Sequence, residues 1–596
     1  MIRVYVLHAI IIMAYWGKNN MKQKRNKKLL EIVFCIMVIV SGPAVAGHLS
    51  NTTWIKDNIE NYILLEKEPY SALLNLDGNT LYVGGDGSGN YSKIQDAIDD
   101  SSDGDTIFVY DDSSPFNENI EIFHSIILEG ENRETTIIDG QGDGDTIYCE
   151  ADNVVIHGFT IKNGYIPGGY WWIAGIQLYI CDYCNIYDNN LMENNYGIRL
   201  YGAPNCTITS NTIRSNKIAG IYFHDHCHNS EITDNIIENN DVAGIEIEGT
   251  HYSIVNENTI RYNPWDGIRL IDSAYTTVTN NEIVENGYNA IMMRSSYENI
   301  VKNNDFTKNG IRITQVHLVE NTIENNYIDG KPLVYLTDES EKIIDNAGQV
   351  ILKRCDRITI KDLWISNVFY GIQTYTCSDC IIMGSIFTNN FCAIDIGYDY
   401  PDAQENLKII NNEVIENVQG IMVDYCKNTE ISENIIQNNI NSAIKVSGEN
   451  YKISKNKIKQ NSDGIYIRGS KHTISENIIE KNKLGINAYK LQGSYITGND
   501  IHDNLDGIYL DDSKNNIISK NNIYESSSKD AFFKDSLNNL WRRNYWKKLV
   551  GPKIIFGLKY YYPSTWGPPY IIPVFWFDFR PARTPYDVSI TEMANI

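Results

Sequence analysis

Basic charge and long apolar runs are both scarce in this chain of 596 residues. Lys and Arg number 51 against 75 Asp and Glu, which gives a formal net charge of −24. Because phosphate binding needs a basic face, this balance argues against nucleic acid as a partner. Beyond residue 46 no stretch reaches the roughly 20 apolar residues that cross a bilayer, so we expect no transmembrane span in the mature chain. The apolar share of 42% still excludes simple disorder.

The first 46 residues have the layout of a secretory signal peptide. A basic stretch at 21–28 is followed by an apolar stretch at 29–40 and by small residues at 44–46. This order predicts a signal peptide over 1–46, with Met21 as the alternative start. The mature chain is then expected to be secreted and extracellular, at the cell surface or in a periplasm-like space. A single N-terminal membrane anchor is the alternative, and 47–80 follow as an N-terminal segment.

A recurring phrase organises the chain. Between residues 194 and 291 a Gly or Ala anchor recurs at positions 197, 220, 244, 267 and 290, so the gaps are 23, 24, 23 and 23 residues. A short run in which apolar and polar residues alternate follows each anchor, which is typical of a strand with one buried face. The runs are too short for helices, and helical spacing is absent between them. The period therefore indicates a repeat fold built from strands.

One repeat of two or three short strands cannot bury its apolar face alone, so successive repeats must stack on one another. The arrangement that allows this is a parallel β-helix, in which each coil rises by about 4.8 Å, the ordinary spacing between strands. The abundant Asn fits, because Asn tolerates the left-handed backbone at corners and stacked amides can hydrogen-bond as a ladder. We therefore predict an all-β solenoid of roughly 17–19 coils.

Motifs between residues 91 and 140 resemble those of a known family. A short amphipathic helix is predicted at 91–98, and it is followed by Gly-Asp-Thr-Ile-Phe-Val at 104–109, Ser-Ile-Ile-Leu-Glu-Gly at 125–130 and Thr-Ile-Ile-Asp-Gly at 136–140. This order resembles the pectin-lyase-like right-handed β-helix superfamily and, more narrowly, the NosD-type β-helix repeat proteins, many of which are archaeal surface proteins. The resemblance implies a right-handed parallel β-helix with an N-terminal capping helix. It implies little about activity, because one fold hosts many functions.

The repeats and the resemblance together divide the chain. We expect a first β-helix block with its N-terminal cap at 81–325, an interrupting segment at 326–350 and a second block at 351–535. Residues 536–596 change character and are rich in Trp, Tyr and Pro. They are predicted to form an aromatic C-terminal cap, because the last coil of a solenoid must be sealed. Docking of this aromatic segment to a cell-surface polymer is the alternative.

Side chains two and four positions after each anchor must point outward and form two columns on one flat face. In relatives that act on polysaccharides this face is the substrate groove. Tyr can stack on sugar rings, Arg can clamp a uronate carboxylate, and an imidazole or carboxylate can act as a general base. The candidate substrate-binding residues are Tyr179, Arg199, Tyr201, Tyr222, His224, Glu246, Glu248, Arg269 and Arg294. The catalytic candidates are His224, Glu246, Arg199 and Arg269. The alternative is a solvated sheet that carries cross-strand ion pairs.

The sequence near residue 226 is rich in metal ligands. Three His alternate there, and Cys227 and His251 share the offset of seven residues after an anchor. The candidate ligands for zinc or copper are His224, His226, Cys227, His228 and His251. A polar corner is the alternative. The family label mentions copper, but it describes a copper-maturation context and no copper motif transfers, so a divalent cofactor (Ca, Zn or Cu) stays open.

Ten cysteines remain after signal cleavage, and two pairs have Cys-x-x-Cys spacing, at 181 and 184 and at 377 and 380. Export allows disulfides, while buried free thiols suit a β-helix interior equally well. Two pairs so far apart are weak evidence for zinc without further ligands.

Three functions remain open on this evidence. The first is a non-catalytic surface or envelope protein that binds carbohydrate, a cell-envelope polymer or another partner along the outward face. The second is a lyase, epimerase or hydrolase of acidic polysaccharides. The third is metal handling at the histidine-rich corner. The loop at 168–172, which contains two Trp, is either a sugar platform or a packed flap.

Overall fold

A computed structural model describes residues 78–169, 171–314, 320–397, 404–547, 551–561 and 570–588. The predicted signal peptide and nearly all of the 47–80 segment lie outside these residues. Within them the chain forms a right-handed parallel β-solenoid of about 21 turns with very little helix, which confirms the predicted fold class. The sequence count of coils was too low because the first turns, before residue 137, lack the Gly or Ala anchor. Among the described residues no helix has the length and apolarity to cross a membrane.

The helix Ile94–Asp99 covers the open end of the first turns. Its residues Ile94, Ala97 and Ile98 are buried, as their helical spacing predicts. The carboxylate of Glu118 accepts hydrogen bonds from the backbone N–H groups of Ile94 and Gln95, both at 3.0 Å. These two N–H groups have no partner within the helix, so the carboxylate from the next turn stabilises the helix start.

Three parallel sheets form the walls of the first block. Sheet 1 follows the anchors and contains Ile120–Ile122, Ile147–Cys149, Ala174–Tyr179, Tyr196–Tyr201, Ala219–His224, Ala243–Glu248, Ile268–Ile271, Ile291–Arg294 and Ile311–Thr314. Sheet 2 contains Thr80–Val83, Thr106–Val109, Ile127–Gly130, Val155–His157, Asn185–Tyr187, Thr207–Thr209, Glu231–Thr233, Ile254–Asn256, Thr277–Thr279, Ile300–Lys302 and Thr322–Glu324. Sheet 3 contains Phe116–Asn117, Ile137–Asp139, Thr160–Lys162, Asn190–Met192, Thr212–Arg214, Ile236–Glu238, Thr259–Arg261, Glu282–Val284, Asp305–Thr307 and Tyr327–Ile328.

The second block repeats the same three walls. Its sheet 1 contains Lys331–Thr337, Gln349–Lys353, Tyr370–Tyr375, Cys392–Ile396, Gln419–Lys427, Ile444–Glu449, Asp463–Ser470, Leu484–Gln492, Asp506–Asp511, Lys529–Lys534, Lys553–Tyr561 and Tyr570–Asp578. Its sheet 2 contains Ile343–Ile344, Thr359–Lys361, Ile381–Met383, Lys408–Ile410, Glu430–Ser432, Lys452–Ser454, Thr473–Ser475, Tyr495–Thr497, Ile517–Ser519 and Leu540–Arg542. Its sheet 3 contains Trp364–Ser366, Ile386–Thr388, Glu413–Ile415, Ile435–Gln437, Lys457–Lys459, Ile478–Glu480, Asp500–His502 and Asn522–Tyr524.

The anchors are small because successive turns approach each other closely there. A Cβ atom added to Gly244 would lie 2.6 Å from Cγ2 of Ile260 and 2.7 Å from the carbonyl oxygen of Gly267. Neither atom can move far, since one belongs to a packed core side chain and the other to the backbone of the next turn. The tight corner therefore accounts for the Gly and Ala that mark the repeat.

Interior Asn residues form hydrogen-bonded ladders along the corners. In the best-formed one, each side-chain N–H group donates to the side-chain oxygen one turn further on, at 2.9–3.1 Å. Its members are Asn189, Asn211, Asn235, Asn258, Asn281, Asn304 and Asn326. The same oxygen accepts a backbone N–H, so each amide also satisfies buried backbone at a corner.

The chain changes direction once between the two blocks. Tyr327–Ile328 pairs antiparallel with Lys331–Thr337, which then runs parallel to Gln349–Lys353. The side chain of Gln349 bridges the blocks, because its amide accepts from the N–H of Ile311 and donates to the carbonyl of Ile311, both at 2.8 Å. Core packing continues through this junction in a single cluster.

A hairpin closes the C-terminal end. Its strands, Lys553–Tyr561 and Tyr570–Asp578, pair antiparallel, and the first of them extends sheet 1. The buried carboxylate of Asp578 accepts from the backbone and side-chain N–H groups of Asn544 at 2.9 and 3.1 Å, and from the Trp546 indole at 3.3 Å. A carboxylate only accepts, so Asp578 ends the Asn ladder in the place that the side-chain oxygen of a further Asn would take.

Candidate functional site

The register of sheet 1 aligns the outward residues in two columns. Arg199 pairs with Tyr222, which pairs with Glu246, and Glu246 pairs with Arg269. In the second column Tyr179, Tyr201, His224 and Glu248 are neighbours in the same way. Turns of the solenoid thus bring residues more than twenty positions apart into side-chain contact. Arg294, at the end of the second column, is exposed and lies beside Ile271.

Arg199 and Arg269 on this face already have partners within the protein. Arg199 donates from Nη1 to Oε1 of Gln177 at 2.9 Å, and Arg199 is only 9% exposed. Arg269 donates from Nη1 to Oε2 of Glu246 at 3.0 Å, and its Nε lies 3.5 Å from a carboxylate oxygen of Asp266. Burial raises the pKa of Glu246, which the charge of Arg269 partly offsets. The Arg269–Glu246 contact is a cross-strand ion pair, whereas Nε of Arg199 and Nε of Arg269 are buried without a hydrogen-bond partner among the described residues.

His224 belongs to a small hydrogen-bonded group. The hydroxyl of Tyr222 donates to Oε2 of Glu248 at 2.6 Å and lies 2.9 Å from Nδ1 of His224. Burial, followed by this contact with Glu248, raises the pKa of Tyr222. The second ring nitrogen of His224 lies 3.7 Å from Asp225. The imidazole therefore sits among carboxylates at the surface, within reach of a ligand on this face.

Three tyrosines on sheet 1 stack on one another, Tyr148 from the first column and Tyr179 and Tyr201 from the second. The ring centroids of Tyr148 and Tyr179 are 6.0 Å apart, and those of Tyr179 and Tyr201 are 5.4 Å apart with an interplanar angle of 9°. Because each ring partly covers the next, their faces are less open to a sugar than the sequence implied. Ring edges and hydroxyls remain for contacts with a ligand.

The structure does not bring the five predicted metal ligands together. His228 and His251 stack at 5.2 Å, and each uses Nδ1 to accept a backbone N–H from the following turn, at 3.0 Å. Cys227 is fully buried, and its thiol contacts the carbonyl of His224 at 3.4 Å. In the described part of the chain, three ligand atoms meet within 4.8 Å at two other places, Cys149–Cys181–Cys184 and Glu480–His502–Asp503. A metal at His224, His226, Cys227, His228 and His251 stays a prediction.

An aromatic ridge borders sheet 1 where its strands begin, and sequence reasoning missed it. The ridge consists of Trp265, Tyr288, Phe369 and Phe391, each two residues before an anchor. Trp265, Tyr288 and Phe391 are 46%, 45% and 40% exposed. The rings of Trp265 and Tyr288 meet edge to face at 6.0 Å and 64°, which leaves ring faces open. Aromatic residues at one offset in four repeats were the available signal.

The Trp-containing loop lies at the same corner, some turns earlier. Trp171 is 76% exposed and Trp172 is 54% exposed. A cavity of about 420 Å³ lies beside Trp171 and is lined mainly by loop residues, by Tyr165 and by Lys217. Lys217 Nζ lies 2.9 Å from the centre of the Tyr165 ring, a cation–π contact that forms one wall.

A buried carboxylate stands on sheet 1 of the second block. Asp395 is 8% exposed, and burial together with the nearby charge of Asp424 raises its pKa to about 7. The side-chain oxygen of Gln373, one turn away, is buried without a hydrogen-bond partner. A carboxyl group that titrates near neutrality in such surroundings is a typical acid–base candidate. The sequence placed Asp395 in a column but could not show its burial.

Family comparisons match most of the solenoid. A model described as "Right handed beta helix region" matches 243–424 and 419–545, together just over half of the chain. A second, described as "Periplasmic copper-binding protein (NosD)", matches 98–266. Among curated proteins none matches significantly.

Solved structures match this chain at low identity and with low TM-scores. DFA-IIIase from Arthrobacter chlorophenolicus A6 is 14% identical over 58% of this chain and 95% of its own, with a TM-score of 0.31. The Dettilon tailspike protein gp208 is 14% identical over 60% of this chain and 66% of its own, with a TM-score of 0.30. The catalytic domain of GH87 alpha-1,3-glucanase is 13% identical over 70% of this chain and 66% of its own, with a TM-score of 0.28. From the family matches and the solenoid itself, this chain belongs to the right-handed β-helix repeat proteins of the NosD type.

Proposed function

We propose that this chain is an exported surface or envelope protein that binds a carbohydrate polymer along the outer face of sheet 1 without cleaving it. The observation that carries the proposal is the aromatic ridge beside that face. Its exposed members Trp265, Tyr288 and Phe391 lie along one corner of the solenoid, and Trp265 and Tyr288 meet edge to face. One face of Phe391 stacks on Phe369 at 4.1 Å, which leaves its other face for a ligand. Exposed aromatic side chains in a row are unusual on a solvated surface and commonly mark binding sites.

The chemistry of the surface suits a polymer of sugars. Open aromatic faces pack against the apolar C–H faces of sugar rings, while hydroxyls and carboxylates beside them hydrogen-bond to sugar hydroxyls. Tyr201, His224 and Glu248 supply such groups within the outward columns. A repeating polymer also meets a repeating surface here, because each turn presents the same positions about 4.8 Å further along the axis.

The state of the carboxylates in the first block favours binding over catalysis. Glu246 is held by Arg269 at 3.0 Å, and Glu248 accepts from Tyr222 at 2.6 Å. A general base needs a lone pair directed at the proton that it removes. Here the carboxylates of Glu246 and Glu248 accept hydrogen bonds from neighbours within the protein. They therefore stabilise the surface and are poorly placed to remove a proton from a ligand.

Binding can be tested with the purified full chain on a panel of neutral and acidic polysaccharides. We expect affinity for at least one polymer to fall tenfold or more in the double variant Trp265→Ala, Tyr288→Ala. The matched control is Trp364→Ala, Tyr495→Ala, which removes rings from sheets 3 and 2 that are more exposed than those of Trp265 and Tyr288. Equal losses in the two variants, or no binding by the unmodified chain, would overturn the proposal.

A second candidate is hydrolysis of a polysaccharide, and the buried carboxyl of Asp395 favours it. Glycoside hydrolysis needs one carboxyl group that stays protonated near neutrality and a second that is ionised. Asp395 has its pKa raised to about 7, mainly by burial, and Asp424 is the neighbouring carboxylate. New reducing ends in digests of the same polymers, lost in Asp395→Asn but retained in Trp364→Ala, would establish this activity. Digests without new ends would leave only the binding function.

A further inference from the structure

Three cysteine thiols meet inside the first block. Cys149 ends the strand Ile147–Cys149, whereas Cys181 and Cys184 lie one turn later, at the corner that follows Ala174–Tyr179. All three are buried, with exposures of 0%, 2% and 1%. Their sulfur atoms all lie within 4.8 Å of one another, and those of Cys181 and Cys184 are 3.7 Å apart.

The triangle of sulfur atoms has the size of a metal site. An ion at the centre of a triangle of sulfurs with one side of 3.7 Å and the other two between 3.7 and 4.8 Å would lie about 2.1–2.6 Å from each sulfur. The usual zinc–thiolate distance of about 2.3 Å falls inside this range. The thiols therefore need no rearrangement of the backbone to hold an ion.

A fourth sulfur lies on the next turn. Cys206 stands directly beside Cys184, because the strands that follow them, Asn185–Tyr187 and Thr207–Thr209, pair in register. Its thiol is buried, but its sulfur lies outside the group of three that meet within 4.8 Å. It also lies 3.9 Å from the backbone carbonyl of Cys181. Cys184 thus has thiol neighbours on the turns below and above it.

The second block supplies an internal comparison. Cys377 and Cys380 repeat the Cys-x-x-Cys spacing, and Cys355 lies one turn earlier. All three cysteines are buried. These three sulfurs do not meet within 4.8 Å, and the described residues contain one all-cysteine group that does. Buried cysteines at a solenoid corner therefore do not form such a cluster by default.

We propose that Cys149, Cys181 and Cys184 bind a thiophilic d¹⁰ metal ion, Zn²⁺ or Cu⁺, inside the solenoid. An all-sulfur donor set selects these ions over Ca²⁺ or Mg²⁺, which take oxygen ligands. Each coordinating thiol releases its proton to solvent as the metal–sulfur bond forms.

The location inside the core has a consequence for assembly. Because all three thiols are buried within the described turns, we expect the ion to enter while these turns fold. Metal that binds the folded chain and not the unfolded one stabilises the fold. Metal is therefore expected to raise the stability of the first block and to exchange slowly afterwards.

The test is to fold the full chain under anaerobic, reducing conditions with either Zn²⁺ or glutathione-buffered Cu⁺, then to remove loose metal with a chelator. We expect about one retained ion per chain, and sulfur neighbours at about 2.3 Å by X-ray absorption at the metal edge. Retained metal should fall at least tenfold in Cys149→Ala, Cys181→Ala, Cys184→Ala. It should be unchanged in the matched variant Cys355→Ala, Cys377→Ala, Cys380→Ala.

Three results would overturn the proposal. They are less than a tenth of an ion per chain with both metals, equal retention in the two triple variants, and a mass 2 Da lower that maps to a Cys181–Cys184 disulfide. If the first triple variant fails to fold, the rate at which a chelator extracts metal is compared for Cys149→Ser and Cys355→Ser. Extraction at least tenfold faster from Cys149→Ser supports the site, and equal rates refute it.

Discussion

Replacement of Asn258 by Ala tests whether the Asn ladders hold the solenoid together. The side chain of Asn258 takes part in five hydrogen bonds, all of them at 2.8–3.0 Å. Its oxygen accepts from the backbone and side-chain N–H groups of Asn235 on one turn. Its amide donates to Asn281 on the next turn and to two backbone carbonyls. One substitution therefore interrupts the ladder in both directions.

The cost follows from the groups that lose their partners. The backbone N–H of Asn235 is buried and loses its acceptor, which costs about 1–3 kcal/mol by itself. Loss of the other bonds and of the space that the amide fills adds to this. We expect Asn258→Ala to lower the free energy of unfolding by about 3–5 kcal/mol.

The control lies two residues away on the same turn. Asn256 points outward, and its oxygen accepts from Thr279 and Asn280 at 2.9 and 2.8 Å near the surface, where water can replace both contacts. Asn256→Ala should cost about 0.5 kcal/mol or less. Urea unfolding followed by circular dichroism gives the global effect. Hydrogen exchange of peptides that cover 232–260 gives the local effect, which matters because solenoids need not unfold all at once. A cost for Asn258→Ala within about 0.5 kcal/mol of the control would refute the structural role of the ladder.

Three further predictions concern the cap and two buried titrating groups. Asp578→Ala removes the acceptor for Asn544, so hydrogen exchange should speed up in turns after residue 520 and stay unchanged before residue 300. Burial lowers the pKa of His472 to about 4, below its unfolded value, so the native state resists protonation. Stability should therefore fall by up to about 3 kcal/mol as the pH drops from about 6.5 to 4, and His472→Asn should remove this slope in urea titrations. Burial raises the pKa of Asp395 to about 7, so its effect on stability has the opposite pH dependence. The loss of stability from burying its charge is absent below about pH 4 and complete above about pH 7. Asp395→Asn should therefore stabilise the protein by up to about 4 kcal/mol at pH 8 and by little at pH 4, and an equal effect at both pH values would contradict the assignment.

Much of the site could be read from the repeat, although its chemistry could not. The spacing of the anchors predicts the register, and the register makes neighbours of Arg199, Tyr222, Glu246 and Arg269. The strand pairing in the structure places them next to one another. Whether neighbours satisfy one another or face a ligand depends on rotamers and burial, which a period does not encode. The Arg269–Glu246 contact at 3.0 Å is such a case.

The cysteines are a second case in which the repeat period does not predict side-chain contacts. Cys181 and Cys184 are visible as a local pair, but Cys149 precedes them by more than thirty residues and occupies a different offset from its anchor. Its thiol joins theirs only because the end of one sheet 1 strand faces the corner of the following turn. Repeat spacing therefore could not predict the cluster, nor why the similar cysteines of the second block do not form one.

By itself, the sequence determined the class of fold, the period, the inward apolar rows and the role of Asn at corners. These features depend on local alternation and on a fixed repeat, which act through neighbouring residues in the chain or through identical positions on adjacent turns. Tertiary structure alone decided which rings keep open faces, which carboxylates are buried and where three thiols converge. Those properties depend on the direction of side chains and on exclusion of water by several turns at once, so they exist only in the folded solenoid.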